Sequence, residues 1–212
     1  MGGVHTRVRG PLKRGHHPGP LDHKSRDTKQ AALIYRFAAK SMAKSLPSLG
    51  QAGVTRLTFY NQFGSRSALL EAVFDERAAR GGLHRIAEAM AASDPHAGLL
   101  QVIVIFCDFW SYDPRALGRL HAAGASDPEF DASVRERNER RRRLLSVLVG
   151  RMAEGTHPRP KALGNLVDVL FALTSFPFFS QLTAGARPAN AACSLIQGLA
   201  RDAVRRTMGA SN

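Results

Sequence analysis

The chain has 212 residues and a mass of 23.0 kDa, with 44% apolar, 22% charged and 7% aromatic residues, enough for one ordinary domain or two small ones sharing helices, and enough to bury a real core. Lys and Arg total 30 against 17 Asp and Glu, a formal net charge of +13 and a pI near 10.9, which points toward a polyanionic partner or an anionic surface. The only two cysteines, Cys107 and Cys193, stand far apart in separate apolar stretches, which argues against a disulfide framework or a cysteine-ligated zinc site and suits a reducing cytoplasm.

More than half of the charge excess falls early, because residues 1–50 carry ten basic and two acidic side chains. Gly10-Pro11, His16-His17-Pro18-Gly19-Pro20 and Asp22-His23-Lys24 supply turn formers and cations without apolar periodicity, so residues 1–27 predict a disordered basic tail. Charge without an apolar run does not make a signal peptide, and the expectation is a protein that stays in the cytoplasm. The longest apolar region, Leu166 to Leu182, is interrupted by Asp168 and Pro177 and falls short of the roughly 20 clean residues of a membrane span.

After the tail every stretch reads helical. Leu33, Ile34, Phe37, Ala38 and Met42 recur at helical spacing until Pro47. A stronger helix opens at Ser65 as N-cap, with Leu69, Leu70, Val73, Phe74, Arg77 and Ala78 on one face. Gly81-Gly82 permits a break before Leu83, Ile86, Ala87 and Met90. Further helices are predicted at 96–112, 114–123, 127–153, 160–182 and 189–208, with Pro177 kinking the fourth rather than ending it because apolar spacing continues through Phe178, Phe179 and Leu182. Nothing alternates with period two, so the fold class is all-α.

Residues 52–70 carry the most information. Gly53 allows a sharp turn, Val54 fills the angle between two helices and Thr55 can cap the next. On the helix Arg56 to Phe63, Phe59 and Phe63 lie at i and i+4 and face inward, leaving Arg56, Thr58, Tyr60 and Asn61 as donors for base edges or phosphates and Leu57 either to obstruct close approach or to touch a thymine methyl. Gly64 stops that helix and Ser65 opens the next, with Arg66 in its first turn.

This stretch closely resembles the DNA-binding segment of the tetracycline-repressor (TetR) family of bacterial transcription factors. Ala52, Gly53, Val54, Thr55, Arg56, Thr58, Phe59, Tyr60, Phe63, Ser65, Arg66, Leu69 and Leu70 match it identically or conservatively. The resemblance implies a helix-turn-helix unit over residues 28–80 and a helical effector-binding and dimerisation unit over 81–212. It also implies that Thr58 and Tyr60 touch the major groove or phosphates, and that Arg66 clamps a phosphate. Leu57 stands where the family commonly has a small residue. Upstream, Pro47, Ser48, Leu49 and Gly50 replace the expected second helix, since interior Pro costs roughly 3 kcal/mol and Gly about 1. A change of reading frame upstream of Gly50 would account for both the tail and the missing helix, and translation of the other two frames tests it.

Several patterns have plainer readings. Ser41-Met42-Ala43-Lys44 spells S-x-x-K without the companion motifs of penicillin-recognising enzymes. His16, His17 and His23 lie in the tail, where no ligand geometry is preformed. Glu136 with Arg140 and Glu139 with Arg143 make a solvated, ion-paired helix face. His121 reads as a hydrogen-bonded interior residue near the effector site.

Together these predict a homodimeric repressor that binds a pseudo-palindromic double-stranded DNA operator and is released by a small apolar effector, with no catalytic, metal or cofactor site. The effector would sit among Phe106, Phe109, Trp110, His121, Phe171 and Phe176, and the dimer would form through Leu166, Leu170, Phe178, Leu195 and Leu199. The alternative is a dimeric small-molecule-binding protein of the same fold whose DNA binding is impaired.

Overall fold

A computed structural model of the chain describes residues 64–156 and 158–209. The tail, the early helix, the S-x-x-K stretch and residues 52–63 of the motif lie outside the described residues. Within them the chain is all-α: α1 (Arg66–Arg80), a short 3-10 turn (Leu83–Arg85), α2 (Ile86–Ala91), α3 (Pro95–Tyr112), α4 (Pro114–Gly124), α5 (Pro128–Met152), α6 (Pro160–Leu173), α7 (Phe176–Thr183) and α8 (Ala189–Met208).

Three junctions repeat one piece of chemistry. In Asp94-Pro95, Asp113-Pro114 and Asp127-Pro128 the aspartate is the N-cap and the proline opens the helix. The carboxylates accept from His96 N at 2.9 Å, Ala116 N at 3.0 Å and Phe130 N at 3.1 Å. Each cap satisfies a backbone donor that has no partner inside its helix, and proline there gives up an N–H that would be orphaned anyway.

The core is built around α3, which packs against α1, α2, α4, α5, α7 and α8. Its Leu99, Val102, Ile103, Ile105, Phe106 and Phe109 share one buried cluster with Leu145 and Leu148 of α5, Leu166 and Leu170 of α6, and Ile196 of α8. Polar ties lock the ends. The Arg151 guanidinium donates to the carbonyls of Met90 and Ala92, finishing α2, and Gln197 of α8 donates to the Leu100 carbonyl at 3.2 Å.

The expected helix over 160–182 is two helices. α6 ends at Leu173 and α7 begins at Phe176, bent 51° from it. Ser175, rather than Pro177, sets the start: its hydroxyl accepts from Phe178 N at 3.3 Å, and Pro177 sits in the first turn of the new helix, where its missing N–H is harmless. Apolar spacing continued across the break because both helices face the same core, not because they are one.

Candidate functional site

The visible end of the motif behaves as its chemistry requires. Gly64 has φ +70°, Ser65 caps α1 by accepting from Ala68 N at 3.0 Å, and Leu69 and Leu70 are buried. Arg66 is exposed in the first turn. Thr55, Arg56, Leu57, Thr58, Tyr60 and Asn61 lie outside the described residues.

α1 is fastened to the rest of the molecule by charge and ring contacts. Arg77, buried, pairs with Glu76 at 2.7 Å and with Asp113 at the start of α4 at 3.1 Å. From α5, Arg137 pairs with Asp75 at 2.9 Å and lies 4.6 Å over the Phe74 ring, while Phe74 meets Phe109 edge-on at 5.7 Å.

Four of the six expected effector residues come together where α3, α5 and the α6–α7 break meet. Trp110 stacks on Phe106 at 6.0 Å and meets Phe176 at 5.6 Å. Its indole N–H donates to the Thr174 carbonyl at 3.0 Å. Phe171 joins through Arg141, whose guanidinium lies 4.2 Å over the Phe171 ring and 5.7 Å from Phe106. Phe109 is buried between Phe74 and Trp110 and serves the core. His121 corrects an expectation: it is exposed rather than interior, with its ring 6.1 Å from that of Phe176, so it stands at the solvent edge of the cluster.

Arg141 is the residue sequence reasoning missed. It is 8% exposed, its Nη1 donates to the Thr174 carbonyl at 2.7 Å, and its Nε has no partner. Burial, reinforced by neighbouring Arg142, pushes its pKa down to about 10, so it remains a cation at neutral pH. The signal was present: four consecutive arginines on a helix span most of its circumference, and Arg141, Leu145, Leu148 and Met152 share the inward spacing. The rest of the run differs in detail from expectation. Arg140 pairs with Glu136 at 2.6 Å, but Glu139 faces Arg142 at 4.0 Å rather than Arg143, and Arg142 also pairs with Asp168.

The two cysteines, distant in sequence, meet where α3 packs on α8. The Cys107 thiol donates to Cys193, holding Cys193 below the usual thiol range and pushing Cys107 well above it. Among the described residues no three His, Cys, Asp or Glu side chains gather as a metal site would need.

The expected dimer residues divide. Leu166 and Leu170 belong to the core of the single chain and are corrected accordingly, and Phe178 is half-buried. Leu195 and Leu199 on α8 are 40% and 38% exposed, and Val169 on the adjoining α6 is 44% exposed. Among the described residues no single helix is long and apolar enough to cross a membrane. Comparison of the chain with protein-family models, with characterised proteins and with solved structures finds no match.

Proposed function

We propose that the chain is a homodimeric DNA-binding regulator of the TetR type, a repressor released by a small effector bound among α3, α5, α6 and α7. The observation that carries this reading is the 52–70 motif, whose last part is a glycine turn, a serine-capped helix with an exposed Arg66 and a buried Leu69-Leu70 pair. An exposed cation in the first turn of a helix, beside its free N–H groups, is chemistry suited to a backbone phosphate. Further support comes from α1 itself. It is tied through Arg77, Phe74 and Arg137 to the helices that hold the aromatic cluster, so a ligand that shifts α3 or α5 moves the helix that follows the motif.

A gel shift on the DNA upstream of its own gene, run over a salt series, tests the reading. Binding should weaken steeply with salt, and Arg66→Ala should make the salt slope shallower by about one while weakening specific and non-specific DNA alike. No shift at low salt would leave the alternative, a dimeric ligand-binding protein of the same fold.

A further inference from the structure

Arg141 presents a charge problem that the described residues do not solve. Among the described residues the guanidinium meets the Thr174 carbonyl and the faces of Phe106 and Phe171, and the charge acting on it is another cation, Arg142, itself engaged by Asp168. Burying an ion without a counter-ion is costly, and a lone carbonyl with two ring faces offsets little of that cost. Nor does Thr174 need Arg141, because the Trp110 indole already donates to the same carbonyl. A guanidinium has five N–H donors in a fork matched to a carboxylate, and here one hydrogen bond is made while Nε stays unpartnered. Beside it Trp110, Phe171 and Phe176 are only half-buried, so the apolar wall continues outward from the cation.

We propose that Arg141 is the anion-binding group of this site, and that the ligand is a carboxylate with an apolar body: the carboxylate meets the Arg141 guanidinium and the body lies along Phe106, Trp110, Phe171 and Phe176. The inference rests on the effector reading and names the class of effector. It also explains why the cation is kept: the protein tolerates an unpaired charge in the free state so that a ligand can complete the pair.

Calorimetric titration of the full chain with benzoate, phenylbutyrate and decanoate, each against its primary amide, provides the test. At least one acid should bind about tenfold or more tightly than its amide, the size expected of a charge-assisted bond, and should quench Trp110 fluorescence. Arg141→Met and Arg141→Gln should abolish the preference for acid over amide, and Arg141→Lys should keep part of it. Without ligand, Arg141→Met should melt no lower than wild type, whereas a purely structural arginine would lower the melting point on removal. Arg141→Gln, whose amide can still donate to Thr174, is a second neutral variant, and a failure of Arg141→Met to fold counts, like a lowered melting point, for a structural arginine. Equal affinity for acid and amide, no binding of any acid, or a preference that survives in both neutral variants would overturn the proposal. The gel shift stays independent: acid binding without DNA binding sinks the regulator and keeps the site, and DNA binding without acid preference does the reverse.

Discussion

Gly81 is required by its neighbours rather than by its own torsion angles. A Cβ there would stand 2.6 Å from Phe109 Cδ2 and 2.9 Å from the Arg77 carbonyl oxygen, and Phe109 is fully buried with little room to move. Gly81→Ala should therefore cost about 1–3 kcal/mol of stability, as overpacked cores do, read as a lower urea midpoint with unchanged slope. The thiols make a second prediction at this scale. Because Cys107 donates to Cys193 and lowers its pKa, Cys193 forms thiolate at lower pH than an ordinary cysteine. At about pH 8, below the roughly 8.5 of a free thiol, iodoacetamide should modify Cys193 well before Cys107. Cys107→Ala should slow that reaction by removing the donor, and equal rates in wild type and variant would show that the contact does not set the reactivity.

At the scale of the element, Asp113 serves two helices at once. One carboxylate oxygen caps α4 through Ala116 N and the other meets Arg77 of α1. Asp113→Asn keeps a capping oxygen and loses the ion pair; with Glu76 still on Arg77 and the Asp113 side chain 32% exposed, the cost should be about 1 kcal/mol. Asp113→Ala should add about 1 kcal/mol for the lost cap, and equal midpoints for the two variants in denaturant melts would refute the capping role. The caps also show which parts of this fold were legible in sequence. Asp94, Asp113 and Asp127 announce their helices because the capping oxygen lies within a few residues of the N–H it serves. The α6–α7 break escaped because its reason is partly remote: the Trp110 indole, distant in sequence, donates to the Thr174 carbonyl where α6 ends. The candidate site divides in the same way. Phe106, Trp110, Phe171 and Phe176 were found from the aromatic residues of two separate helical stretches together with the family resemblance, whereas Arg141 hid in a run of arginines whose composition reads as a solvated face. Only the inward spacing it shares with Leu145 and Leu148 gives it away. Leu166 and Leu170 were misassigned because an apolar face at helical spacing looks the same whether it is covered by its own chain or by a second copy.

At the scale of the whole molecule, that correction sharpens the question of how two copies would meet. Core leucines such as Leu170 cannot test a dimer, since a charge there would unfold the single chain before it separated two. Leu195 and Leu199 can, because each already lies about two-fifths in solvent, and exposed positions usually tolerate substitution within about 0.5 kcal/mol. They stand one turn apart on α8, with Gly198 between them offering open space above the backbone and Val169 exposed on the adjoining α6. Small and aliphatic residues in that arrangement let two helix pairs approach their two-fold copies as a four-helix bundle, which would hold two recognition helices about 34 Å apart for successive major grooves. Asp at both positions should therefore yield a chain that keeps its helical content and its melting cooperativity yet sediments as a monomer. Operator binding should fall much further than non-specific binding, since a single half-site loses the effective concentration supplied by its tethered partner. A wild-type chain that sediments as a monomer would refute the dimer, and a Leu195→Asp, Leu199→Asp variant that remains fully dimeric would place its interface elsewhere.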